Sequence, residues 1–253
     1  RGRHARRAHR ASGSSQARRA PGDGLSLAFA HLDSAAAARI AAADRFTASD
    51  FQAETGVSRE TLGQFEAWRA LLESRNADTN LVGRSTLEDF WRRHALDGWQ
   101  VLRLAPDAPR WLEIGAGAGI PGIPVALGLK AAGLEGARVT LVESIAKKAR
   151  FLEEAVAATG APAEVLAVRA EALDKTRRYD VITARAVAPL KKLIGYAKPF
   201  VDNGAIALFP KGARYADELT EARKSWTFEC EVIPSLTAPE AAVLKIEGIA
   251  RVR

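Results

Sequence analysis

From Arg110 onward the sequence alternates short apolar runs of strand type with stretches of helical periodicity. Strands are expected at 110–114, 138–143, 164–168, 179–184, 204–209, 226–233 and 242–250, and helices at 121–134, 145–159, 187–198 and 214–223. Such alternation calls for an α/β fold in which a mostly parallel, seven-stranded sheet is covered by helices on both faces. Ligands of open sheets of this kind bind beyond the carboxyl ends of the strands. Functional side chains are therefore expected at strand ends and not within strands.

Residues 23–108 read as a helical extension ahead of this 109–253 domain. Leu62, Phe65, Trp68, Leu71 and Leu72 recur at helical steps on one face of a helix that starts near Ser58. Ser85 and Glu88 form a capping-box pattern for a second helix carrying Leu87, Phe90, Trp91, His94 and Val101. The polar stretch "NADTNLVG", with Asn76 and Asn80, separates the two.

The formal charge of +7 does not describe the whole surface. Residues 1–22 hold seven arginines and no acid, and taking those seven from the 37 basic side chains leaves 30 against 30 acids. The acid-free segment has almost nothing to bury and is expected to be disordered. It could serve as an RNA-binding arm or an organellar transit peptide. The arginine at position 1 and the absence of methionine favour a third reading, translated sequence upstream of the true start. One cysteine, Cys230, forbids an intrachain disulfide, and no apolar run approaches the roughly 20 residues that span a bilayer. A cytoplasmic protein with no membrane segment is expected.

The stretch "WLEIGAGAGIPGIPVAL", residues 111–127, carries the first chemical signal. Gly117, Gly119 and Gly122 satisfy G-x-G-x-x-G, and Glu143 follows 21 residues after the last of them, which is dinucleotide spacing. The prolines modify that reading. With Pro121 as the first helical residue, Pro124 is the fourth, and both fall where helix N–H groups have no intrahelical partner. The loop then runs from Gly115 to Ile120, longer than the tight turn that presses a pyrophosphate onto a helix N-terminus. A longer loop suits the amino-acid end of S-adenosylmethionine, and Glu143 at the end of the second strand can accept both hydroxyls of a ribose.

Seven motifs in fixed order, "NLVG", "RRHALDG", "LEIGAGAGIPGIPVAL", "LVESIAKKARFLEE", "VRAEAL", "ITARAVAPL" and "PKG", make the chain resemble the bacterial 16S ribosomal RNA guanine-N7 methyltransferases, the glucose-inhibited division protein B family. The resemblance spans residues 58–250 and implies a Rossmann-like class I methyltransferase fold that uses S-adenosyl-L-methionine. It places cofactor contacts on Gly115, Ile120, Ala170, Glu171 and Arg185, which join Gly117 and Glu143 from the glycine pattern and the strand end. Glu113, Val82 and Gly98 stand where the family more often has aspartate, threonine and serine. Gly98 puts any hydrogen-bonding role at that position in doubt.

The implied chemistry needs no general base, because guanine N7 has an in-plane lone pair and no proton. Candidates for handling the RNA are Asn80, Arg92, Arg93, His94, Asp97, Lys147, Lys148 and Lys211, with Asn80, Arg93, His94 and Lys211 foremost. Four histidines, two of them within residues 1–22, and one cysteine offer no recognisable metal cluster. The expected partner is 16S ribosomal RNA or the small ribosomal subunit, met by a monomer. The rival readings are a nicotinamide-dependent oxidoreductase using the literal glycine pattern, a small-molecule methyltransferase, and a non-enzymatic RNA-binding module.

Overall fold

The computed structural model describes residues 38–40, 43 and 45–252. The arginine-rich segment 1–22 and its expected disorder lie outside the described residues, as does most of the extension before residue 45. The chain forms α1 (Ala48–Thr55), α2 (Arg59–Thr79), α3 (Arg84–Glu88), a π-helical turn (Trp91–Leu96) and α4 (Asp97–Leu102). Then follow β1 (Arg110–Ile114), α5 (Gly122–Ala131), β2 (Arg138–Val142), α6 (Ala146–Thr159), β3 (Ala163–Leu166) and a 3₁₀ turn (Ala170–Ala172). The chain continues through β4 (Val181–Thr183), α7 (Leu190–Val201), β5 (Ile206–Lys211), α8 (Tyr215–Arg223), β6 (Trp226–Pro234) and β7 (Ala242–Arg251).

The seven strands lie in the order β3-β2-β1-β4-β5-β7-β6. All pairs up to β5 are parallel, and β7 runs antiparallel to both neighbours, with Phe209 opposite Leu244. Successive residues of a strand point to opposite faces, and here both faces are apolar. Trp111, Val181 and Leu208 enter one core with α5, α6 and the helices before β1, while Leu112, Ile182 and Phe209 enter the other with α7. The first core is rich in aromatic rings, with Phe51 and Phe65 centroids 4.9 Å apart and Trp68 and Phe90 5.1 Å apart. No helix among the described residues is long and apolar enough to cross a membrane.

Helix α2 begins where the periodicity placed it, with the Ser58 Oγ accepting the Thr61 N–H at 3.1 Å. The expected capping box at Ser85 and Glu88 does not form. Helix α3 starts at Arg84, one residue before Ser85, and lasts five residues; its N-cap is Gly83, which has no side chain to accept a bond, and a π-helical turn follows. Pro121 precedes α5 instead of opening it, so Pro124 is its third residue and still lies among the N–H groups that need no intrahelical partner.

Candidate active site

The loop from Gly115 to Pro121 joins β1 to α5 at the carboxyl end of the sheet. Gly115 and Gly117 are left-handed, with φ of 69° and 56°. A Cβ on Gly115 would also come within 2.4 Å of Val187 Cγ2. At Gly117 the surroundings differ: the nearest heavy atom to a Cβ would be the Gly115 carbonyl oxygen at 3.9 Å. The missing side chain there leaves open space for a ligand. Glu143, buried just past β2, lies across this space; its Oε2 accepts the Gly117 N–H at 3.1 Å and its Oε1 the Ile145 N–H at 2.8 Å. A carboxylate has about four lone-pair sites, so capacity remains for hydroxyl donors.

Beneath the loop, Glu113 is wholly buried, with Oε2 accepting the Gly122 N–H at 2.9 Å and Oε1 without a partner among the protein atoms. Burial pushes its pKa up to about 8, against the Gly122 N–H and the Arg185 cation, with Glu143 adding to the rise. The Trp68 Nε1–H donates to the Ala118 carbonyl at 3.3 Å, so α2 braces the glycine loop from outside. Helix α4 approaches the same loop closely. A Cβ on Gly98 would lie 2.5 Å from Pro124 Cγ, which explains why this position carries no side chain.

Along the strand ends, Ile145 after β2, Val168 after β3 and Val187 after β4 are exposed, at 53%, 37% and 40%. Large apolar side chains facing water in this row give an apolar lining to a flat ligand. Ile120 is buried in the loop, and Ala170 and Glu171 form the 3₁₀ turn beyond Val168. Glu171 is exposed and accepts the Tyr196 hydroxyl at 2.5 Å; that bond holds its carboxyl below the usual range.

A cleft of about 880 Å³ opens beside the loop, lined by Arg93, His94, Arg185, Val187, Lys211 and Thr237 among others. Val187, packed on Gly115, is the wall between cleft and loop. Arg185 does not stand free: its Nε pairs with Asp97 Oδ2 at 3.0 Å, and its Nη2 donates to the Arg93 carbonyl at 3.3 Å. The charge that interrupts the strand's apolar run is thereby compensated within the protein. His94 is 1% exposed and neither ring nitrogen makes a hydrogen bond of acceptable geometry. Burial, with help from Arg185 and against the neighbouring Arg93 carbonyl, lowers its pKa to about 3, so the imidazole is neutral.

The structure thus brings Gly115, Gly117, Ile120, Glu143 and Arg185 around one end of the sheet, with Arg93 and His94 across the cleft. Other candidates have protein partners of their own. The Lys211 Nζ, on a side chain 7% exposed, binds Glu218 Oε2 at 2.8 Å and the Ala188 carbonyl at 3.2 Å. Asn80 is the left-handed C-cap of α2, its N–H reaching the Asn76 carbonyl. Lys147 donates to the Asp78 carbonyl, and the Arg92 Nη2 to the Ala43 carbonyl at 2.6 Å. Three groups escape a reading of the sequence: buried Glu113, the exposed apolar row, and Thr237, which holds Asp97 from the far end of the chain.

The strand order, the open glycine loop and the acid after β2 define a class I methyltransferase, and solved structures share the fold. The O-methyltransferase from Bacillus cereus in complex with SAH superposes with a TM-score of 0.51 at 15% identity, covering 72% of this chain and 91% of that one. The SAH-bound methyltransferase PaMTH1 of Podospora anserina gives 0.51 at 17% identity, covering 76% and 88%. Sequence narrows the class. Ribosomal RNA small subunit methyltransferase G of Rhodospirillum centenum is 47% identical over 209 residues, 82% of this chain and 94% of its own. The protein of the same name from Caulobacter vibrioides is 43% identical over 206 residues, 81% of this chain and 94% of its own. The chain belongs to the GidB family, rRNA small subunit methyltransferase G, which matches residues 61–243. It is an S-adenosylmethionine-dependent RNA methyltransferase, and the oxidoreductase and small-molecule alternatives are not favoured.

Proposed function

We propose that the protein methylates N7 of one guanine in a loop of 16S ribosomal RNA, acting as a monomer in the cytoplasm on free RNA or on the small subunit. The observation that carries this reading is the open space above Gly117, faced by Glu143 and walled by Val187 from a second cleft large enough for a nucleobase. One compartment suits the cofactor and the other the acceptor. Gly115, Gly117, Ile120, Glu143, Ala170 and Glu171 would hold S-adenosylmethionine, and Arg185 would stand at the junction. When bound, that cofactor supplies an electrophilic methyl group on a sulfonium.

The protein's part is orientation. Guanine N7 attacks through its own lone pair, so neither Glu143 nor neutral His94 is asked to take a proton, and the rate depends on holding the base in line. The RNA reaches the site only with its base unstacked. Arg93, which lines the cleft, and Asn80, next to the cleft-lining Leu81, would meet it. Lys211 would act on the RNA through the Ala188 loop that it supports, and His94 would shape the cleft wall. Of the 23–108 extension, residues between Leu81 and Gln100 would complete the acceptor cleft of the 109–253 domain.

The test is to incubate the protein with labelled S-adenosylmethionine and either small subunits or naked 16S RNA lacking the modification, then to map the product by cleavage at 7-methylguanine. Label at a single guanine N7 is expected. No label in RNA, or label on another atom, refutes the proposal.

A further inference from the structure

Arg185 is held by a network drawn from three distant parts of the chain. Asp97 Oδ1 accepts from the Thr237 hydroxyl at 2.6 Å and from Gln100 Nε2 at 2.8 Å, leaving Oδ2 to face Arg185 at 3.0 Å. Gln100 also donates to Ser235 Oγ at 3.3 Å, and its Oε1 accepts the Leu236 N–H at 2.8 Å. The proton directions are determined. An ionised carboxylate only accepts, so Thr237 gives its single hydroxyl proton to Asp97. Ser235 must then be the donor in its 3.1 Å contact with Thr237. Ser235 Oγ in turn accepts the Thr237 N–H at 3.2 Å. Gln100, Ser235 and Thr237 are all buried, and a buried polar network with every member satisfied is rigid.

What the network holds is a strained loop. Ala186, next to Arg185, is left-handed with φ of 56°, a conformation that costs a residue with a Cβ and persists only where the surroundings enforce it. Lys211 fixes the far side of that loop through the Ala188 carbonyl. Between the two holds, Val187 lies on Gly115, and Arg185 lies on the cleft wall.

We propose that Thr237 is a positioning residue for methyl transfer, acting through Asp97 to hold Arg185 and its loop between the cofactor and acceptor compartments. The inference rests on the proposed methylation reaction. A displacement of about 1 Å at such a boundary costs on the order of a hundredfold in rate, whereas the glycine loop and Glu143, which would hold the cofactor, lie on other elements and do not touch Thr237. Loss of the Thr237 hydroxyl therefore lowers kcat and leaves binding nearly intact.

The experiment compares wild type with Thr237→Val, Thr237→Ser and Ser235→Ala, measuring kcat and KM on small subunits, cofactor affinity by calorimetry and thermal melting. Thr237→Val is expected to lose roughly ten- to a hundredfold in kcat with cofactor affinity and RNA KM little changed. Thr237→Ser restores the rate, and Ser235→Ala, which leaves the Thr237 hydroxyl donating to Asp97 but removes the support of Thr237, falls between. Should Thr237→Val not fold, Ser235→Ala decides. Wild-type kcat in Thr237→Val, a loss that serine does not rescue, or a loss seen only as weaker cofactor binding overturns the inference. A wild-type enzyme that places no methyl on guanine N7 overturns the proposed function instead.

Discussion

Replacing Glu113 by glutamine keeps the length and shape of the side chain and removes its capacity to ionise. The wild-type carboxyl is fully buried and has an ordinary pKa of 4.5 raised to about 8 in the fold. Below about pH 4.5 folded and unfolded chains both carry the proton, and Glu113 contributes no pH dependence. Between that value and about 8 the unfolded chain has lost the proton while the folded chain retains it, so stability falls as pH rises. At about 1.4 kcal/mol for each pH unit, the penalty reaches about 3 kcal/mol at pH 7 and about 5 kcal/mol above pH 8. Glutamine escapes it because an amide does not ionise, while its oxygen can still accept the Gly122 N–H. Urea unfolding of both proteins from pH 5 to 9 should show Glu113→Gln gaining on wild type across this range and then levelling. A stability difference that stays flat with pH would refute the reasoning, since it would mean that Glu113 is ionised in the fold.

Gly98→Ser is expected to lower stability by about 1–3 kcal/mol, because its Cβ meets Pro124 Cγ at 2.5 Å; an unchanged urea midpoint would contradict the close approach. Gly117→Ala has room for its methyl but a φ of 56° to adopt, so it should fold with a loss of about 1 kcal/mol while affinity for S-adenosylhomocysteine drops more than tenfold by calorimetry. Lys211→Ala leaves Glu218 with only the Leu190 N–H. A destabilisation of about 2 kcal/mol, discounted for the partial exposure of Glu218, is expected in chemical unfolding, with cofactor affinity preserved and turnover slowed.

The strands were readable because central parallel strands are buried on both faces and appear as unbroken apolar runs. Helix ends were less so. The expected helix from 187 begins at Leu190, since the left-handed Ala186 and then Pro189 hold the chain out of helical conformation. The Ser85 cap failed because the helix begins at Arg84 behind Gly83, which puts Ser85 inside it; the π-helical turn beyond, next to Phe90 and Trp91 in the aromatic core, leaves no mark in a pattern of three or four residues. In the site, Gly115 and Glu143 were visible through spacing, which survives in one dimension. Thr237 carries no local mark, and its partner Asp97 is 140 residues away. Exposed Ile145, Val168 and Val187 resemble core residues until their surroundings are known. Lys211 reads as a substrate cation until Glu218, seven residues on, is seen to neutralise it.

The hold on Arg185 also has an order in time. Synthesis runs from the N-terminus, so a nascent chain that has released everything through β5 already possesses the glycine loop, Glu143, Asp97 and Arg185. It lacks the hydroxyl that completes the carboxylate's shell and the β6–β7 turn that receives Gln100. Until that turn emerges, Asp97 can already pair with Arg185, but neither Asp97 nor Gln100 has the partners that fix it, and the Ala186 loop is less firmly held. The glycine loop and Glu143 can therefore come together before β6 and β7 are made, and the full hold on Arg185 comes only with the turn between those two strands.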